Sequence, residues 1–259
     1  MVKGLYTAYS GMINEQHRMD TLTNNLANVA TTGYKKEGAT SQSFSDALAV
    51  EIKDKSNWNI PKVMGNMHPG VKIGENYTDW SEGGLKETDN TFDMALSNKG
   101  FFEIEFTDKE GNTSVKYTRD GSFTLNSDGY LVTKDGDYVL DTKGNHIKLD
   151  PTKDASVDRQ GNIYQGNDTV LAKVQVTDFT DYNYLEKYGE NMYQTVDGAT
   201  EAASNAQIYS GYLEQSNVDT VSEMVQLISV TRAYETNQKI IQTMDDTLDT
   251  AVNNLGRLS

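Results

Sequence analysis

The chain has 259 residues, 36% hydrophobic and 24% charged, with 23 Lys and Arg against 38 Asp and Glu and a formal net charge of -15. That acidity excludes a phosphate-backbone partner, because nucleic-acid binding relies on clustered Lys and Arg that displace counterions, and the longest basic run is Lys35-Lys36. The absence of cysteine excludes both a disulfide framework and a thiolate metal site.

At the N-terminus, Asn14, Glu15, His17, Arg18 and Asp20 interrupt every apolar run, so no signal-peptide core is present. No stretch approaches the ~18 apolar residues of a membrane-spanning helix, so no membrane insertion is expected. The N-terminus is expected to remain in the folded product. Leu5, Ala8, Met12, Met19, Leu22, Leu26 and Val29 instead recur at alternating steps of three and four, with Glu15 as the polar intruder. This heptad seam predicts a coiled-coil helix within residues 1–33. Gly11 costs about 1 kcal/mol relative to Ala unless it permits a close backbone approach. Thr31-Thr32-Gly33 supplies a stop, with Gly33 suited to a left-handed cap, and Lys35-Lys36 reads as a solvated turn.

Residues 34–82 keep no sustained periodicity and hold Pro61, Pro69 and both tryptophans, Trp58 and Trp80. They are expected to form an extended connector with room for a short hairpin. From about 83 to 210 the pattern changes to short alternating runs such as Phe102–Phe106 and Tyr130–Val132. Glycine turns punctuate them: Glu110-Gly111-Asn112, Asp120-Gly121, Asp128-Gly129, Asp135-Gly136, Lys143-Gly144-Asn145 and Gln160-Gly161-Asn162. These read as hairpins of one all-β domain.

Residues 211–259 return to heptads at Leu227, Val230, Tyr234, Asn237, Ile241, Met244, Leu248, Ala251, Leu255 and Leu258. Ser216 stands three before Asp219 and Thr220 three before Glu223, and either pair suits a capping box. The expected fold class is therefore α+β and multi-part: N- and C-terminal helices forming a coiled-coil stalk, with an all-β middle domain. Tyr9, Ile13, Val221, Val225 and Ile228 lie off the seams and would stay in water in a simple two-helix hairpin. Exposed stripes of this kind invite neighbours. The termini are thus expected to be loosely structured in the monomer and to order when copies stack.

Nothing in the sequence assembles a catalytic or metal site. His17, His68 and His146 sit in different segments without ligand spacing, and Asn126-Ser127-Asp128-Gly129 lacks a calcium ladder. No nucleophile elbow or phosphate-cradling loop is present, and no carboxylate pair is singled out. The chain is read as a non-enzyme without cofactors. A secreted adhesin or fibre and a carbohydrate-active enzyme are the rival readings, and heptads alone fit a fibre equally well.

The polar residues on the helices carry two readings each. Asn237 and Glu15 either set register or face water. Asn24, Asn25 and Asn28 either bridge to adjacent subunits or cap the helix end locally. Arg232 and Glu235 could pair between subunits, with geometric value at most, since exposed pairs contribute roughly 0–1 kcal/mol.

Three groups of residues carry a family resemblance. The first is Gly4-Leu5-Tyr6-Thr7-Ala8, Ser10-Gly11-Met12, Asn24–Val29 and Thr32-Gly33-Tyr34-Lys35. The second is Lys99-Gly100-Phe101-Phe102, Tyr117–Phe123 and Asp128–Val132. The third is Gly211-Tyr212-Leu213-Glu214, Ser216-Asn217-Val218, Glu223-Met224-Val225 and Arg232-Ala233-Tyr234-Glu235. Occurring in this order across most of the chain, they resemble the rod and hook proteins of the bacterial flagellum. Length and a single β domain look like the distal rod type within that family, with a proximal rod or hook-type paralogue as the alternative.

The resemblance implies a helical tube with terminal helices inside and β domains outside, a stiff shaft between motor and hook in the flagellar basal body. It implies a homo-oligomer that meets other rod proteins, a hook subunit and, in some envelopes, ring bushings, after export through the flagellar type III apparatus without a cleaved signal. The expected assembly interface is Leu5, Ala8, Met12, Met19, Leu22, Asn24, Asn25, Leu26, Asn28 and Val29 at one end. At the other it is Leu227, Val230, Tyr234, Asn237, Ile241, Met244, Leu248 and Leu255.

Overall fold

The computed structural model of the chain describes residues 2–44, 47–51, 62–67, 70–166, 169–189 and 191–255. Trp58, Pro61, His68, Pro69 and Leu258 lie outside the described residues, as does the side chain of Leu255. The architecture is α+β, with a helix near each terminus flanking a β-rich middle. The chain divides into two compact units. One comprises residues 1–27, 37–79 and 219–259, the other residues 28–36 and 80–218.

In the first unit, α1 (Val2–Ala27) and α2 (Thr220–Leu255) pack together. α1 ends six residues before Gly33, so Asn28 and Val29 lie beyond the helix. Gly33 does adopt the expected left-handed conformation (φ 69°), and an added Cβ there would meet the Asp120 amide nitrogen at 2.4 Å. Neither anticipated capping box starts α2. Asp219 does so: its carboxylate accepts from the Val221 N–H (3.1 Å), a donor that a helix N-terminus otherwise leaves orphaned, and from the Ser222 hydroxyl (2.8 Å).

The expected connector holds two antiparallel ribbons in place of a single short hairpin. Glu37–Ser43 pairs with Val71–Thr78, and Ala47–Glu51 pairs with Lys62–Met67. The first ribbon lies against α1. Ser41 Oγ donates to Asn14 Oδ1 (3.1 Å), the Val71 N–H donates to Ser10 Oγ (3.3 Å), and His17 Nε2 bonds Asn76 Oδ1 (2.9 Å).

The second unit is built on a nine-stranded antiparallel sheet. Phe101–Thr107 sits inside it, bonded on one side to Thr113–Thr118 and on the other to Tyr138–Val139 and Val176–Phe179. Because successive side chains of a strand point to opposite faces, adjacent Phe101 and Phe102 enter different cores. Phe102 and Ile104 join Met94, Leu96, Phe123 and Leu131 in the larger core, while Phe101 packs with Tyr117, Phe179 and Tyr193 under Trp80. Two further strand pairs, Met94–Ser97 with Gln207–Ser210 and Leu85–Glu87 with Tyr212–Glu214, carry the β structure four residues beyond 210.

Of the anticipated turn glycines, Gly111, Gly129, Gly136, Gly144 and Gly161 adopt φ between 73° and 99°, a region where a Cβ is strained. Gly121 is there for a different reason: a Cβ would stand 1.6 Å from the Met94 carbonyl oxygen. Phe102, fully buried and edge-on to Phe123, should be the most costly core truncation. Phe102→Ala is expected to lower unfolding free energy by about 3–5 kcal/mol, read as a reduced urea midpoint at unchanged slope.

Candidate functional site

A heptad seam is useful only if its residues are sheltered, and in the first unit, where α1 and α2 pack together, they are. Ala8, Leu22 and Val230 are buried. Leu5, Met12, Met19 and Leu26 on α1, with Leu227, Tyr234, Asn237, Ile241, Met244 and Leu248 on α2, are half-buried.

The register is antiparallel and set by a column beside the α1 seam. Gly4 faces Met244, Gly11 faces Asn237, and Asn25 donates to Glu223 Oε2 at 3.3 Å, each a whole number of heptads apart on both helices. A Cβ at Gly4 would lie 2.7 Å from Met244 Cε and one at Gly11 would lie 3.1 Å from Asn237 Nδ2. Both glycines therefore mark close helix approach, and Asn237 fills the notch that Gly11 leaves. Glu15, the other polar seam member, is half-buried and paired with Arg18 at 3.3 Å.

The asparagines separate. Asn28 takes the local role, accepting from the Thr31 hydroxyl at 3.1 Å. Asn24 is exposed. Asn25 fits neither anticipated role. It is fully buried and bonds Glu37 in both directions, donating to its carbonyl (2.8 Å) and accepting from its N–H (3.0 Å), while also reaching Glu223. It ties α1 to the ribbon and to α2 at once. Val29, half-buried, belongs to the turn after α1.

In the second unit the structure corrects the reading of Lys35. It is 1% exposed, and its Nζ donates to Glu214 Oε1 at 2.6 Å and to the Ser81 carbonyl at 2.8 Å. Glu214 also accepts from the Gly83 N–H (3.1 Å) and from Arg119 Nη1 (3.3 Å), and Arg119 Nη2 donates to the Asn98 carbonyl (2.8 Å). Lys36 completes the junction through its N–H, which donates to Asn217 Oδ1 at 2.7 Å. A lysine buried this way must be charge-paired, a demand that neighbouring residues in the sequence do not reveal.

Burial is the largest influence on the Lys35 ammonium and holds its pKa below the usual 10.5; Glu214 opposes the shift and Arg119 adds to it. Between the lowered value and 10.5 the unfolded chain binds more protons than the folded one, so this group makes stability rise with pH there. Removing it with Lys35→Met should flatten that alkaline gain, so the stability difference between parent and variant should grow toward pH 10.5 and then level.

The described histidines have structural partners: His17 bonds Asn76, and His146 lies 3.3 Å from Glu105 and stacks on Tyr138. Off the seam, Tyr9, Ile13, Val221, Val225 and Ile228 remain exposed.

Three family descriptions match the chain in order: Flagella basal body rod protein over residues 5–35, Flagellar hook protein FlgE/F/G D1 domain over 95–165, and Flagellar basal body rod FlgEFG protein C-terminal over 209–255. The chain is 32% identical to the flagellar basal-body rod protein FlgG of Buchnera aphidicola subsp. Schizaphis graminum, over 96% of this chain and 98% of that one. It is also 32% identical to FlgG of Bacillus subtilis, over 98% and 99%. To the flagellar basal-body rod protein FlgF of Caulobacter vibrioides it is 33% identical over the whole of both chains.

The buried cluster lies where these matches converge, with Lys35 in the first, Arg119 in the second and Glu214 in the third. Removing the one carboxylate strands two buried cations, so Glu214→Gln should cost roughly 3–5 kcal/mol in chemical denaturation. Replacing Lys35, Arg119 and Glu214 together with apolar residues of similar volume should recover most of it.

Proposed function

The chain belongs to the flagellar basal-body rod protein family, and we propose that within it the protein is a distal-rod-type subunit that polymerises through α1 and α2 into a tubular shaft carrying torque from motor to hook. It is a structural subunit of the flagellar basal body and not an enzyme, and it assembles with other rod and hook components. The observation that carries the finer reading is the division of labour on the helices: the heptad seam is satisfied within the chain while apolar side chains on the outer faces stay in water.

α1 and α2 act as a coiled-coil stalk whose outer faces are completed by other copies, and the seam residues from Leu5 to Leu248 hold the stalk in the shape those copies recognise. Fixing two long helices costs ~1–2 kcal/mol per residue in backbone entropy, so the stalk gains order on assembly, and the helical signal per chain should rise from dilute subunit to polymer. A stalk ordered late also suits passage through the type III export channel as an extended chain. A proximal-rod role is the second reading, favoured by the equal similarity to FlgF.

Cells lacking the protein should be non-motile, and their purified basal bodies should carry a shortened shaft in electron micrographs. A shaft of normal length would refute the rod role. A residual stub reaching only the motor-proximal part supports the distal assignment, and complete absence of a shaft supports the proximal one.

A further inference from the structure

With nine methionines and no cysteine, every sulfur in the chain is a thioether. The described ones differ in access to solvent. Met94 is fully buried in the larger β core, and Met224 is 46% exposed on α2. Met12, Met19 and Met244 lie between these extremes, half-buried on the helix pair.

The surroundings of Met19 and Met244 are chemically different. Thr231 Oγ1 donates to Met19 Sδ at 3.9 Å, so a donor is at hand for an oxygen on that sulfur. Among the described residues none donates to the Met244 sulfur. Its Cε and Sδ lie 2.7 and 3.6 Å from the place a Gly4 Cβ would take, so the thioether fills the notch that the glycine leaves. Met244 also stands at the open end of the pair. Gly4 faces Met244 and Gly11 faces Asn237, so Val2 comes level with Asp246, and α2 runs on to Leu255 past the start of α1.

We propose that Met244 is an oxidation site that controls closure of the α1–α2 pair at this end: its sulfoxide releases the first turns of α1 while the Asn25–Glu223 end stays joined. The oxidant is a peroxide. In hydrogen peroxide the O–O bond breaks, one oxygen forms the S=O bond, the sulfur gives up two electrons and water leaves. A flexible apolar side chain thereby becomes polar and chiral. The new oxygen needs room and a donor, and the Gly4 notch supplies neither; burying it without a partner opposes pairing. The step is reversible, since methionine sulfoxide reductases return the sulfur to the thioether with electrons from a dithiol. It concerns one chain and does not depend on the assembly reading above.

Full-length protein at high concentration is treated with hydrogen peroxide, the sulfoxide at each methionine is quantified by peptide mass, and amide hydrogen exchange is followed along both helices. Oxidation should speed exchange over residues 5–12 and 238–246 about tenfold, a difference of ~1.4 kcal/mol, and leave residues 20–27 and 221–227 unchanged. Met244→Leu conserves volume and should abolish the response, whereas Met224→Leu should respond as the parent does. Met244→Gln should loosen the same end without oxidant. Methionine sulfoxide reductase with dithiothreitol should restore slow exchange in the oxidised parent. Full conversion of Met244 with unchanged exchange overturns the proposal, as does an undiminished response in Met244→Leu. Oxidation of Met224 that spares Met244 shows that peroxide does not reach the site, and also overturns it. Lack of protection in both helices before oxidation overturns the closed pair itself and the proposal with it.

Discussion

One carboxylate ties together three distant segments of the β unit of this protein. Glu214 sits between Lys35 and Arg119 with almost no access to water, and each cation also donates to one backbone carbonyl. A desolvated charge is stable only when its partners are in place. The arrangement therefore requires the segment leaving α1, the hairpin carrying Arg119 and the strand preceding α2 to arrive together. Gly83, which donates to the same carboxylate, has no room for a Cβ: one would stand 1.8 Å from the Gln215 carbonyl oxygen. The segments at Lys35, Arg119 and Glu214, one from each stretch that marks the family, are thus joined in space though far apart along the chain.

The helices were legible because a heptad is a local signal: Leu227, Val230, Tyr234, Asn237, Ile241, Met244 and Leu248 are sheltered on α2, and the residues between them are exposed except Thr231 and Ala233. The hairpins were legible for the same reason, since a left-handed glycine after Asp or Lys is a constraint carried by two or three residues. The ribbon Glu37–Ser43 with Val71–Thr78 was not. Most of its side chains face water, so the alternation that betrays a half-buried strand never develops.

The ion cluster was illegible for a different reason. Lys35 finds its counter-charge 179 residues away and Arg119 finds the same group 95 residues away, so nothing beside Lys35 distinguishes it from a surface lysine. Asn25 is an intermediate case. Its position near a helix end suggested capping or bridging, but its burial depends on Glu37 and Glu223, which no local pattern links to it. The exposed strips were visible in outline because they are what remains after the seam has been assigned.

The glycine notches of α1 also bear on mechanical load. If α1 slid by one heptad so that Asn25 moved from Glu223 to Val230, its amide would lose a carboxylate and face a hydrocarbon, and Met244 would be driven toward the notch that Asn237 fills. Stranding a buried polar group costs about 1–3 kcal/mol, so the pair resists shear along its axis at a discrete step. Such a helix pair can bend with its surroundings and still refuse to slip, a useful property in any part that must turn without creeping.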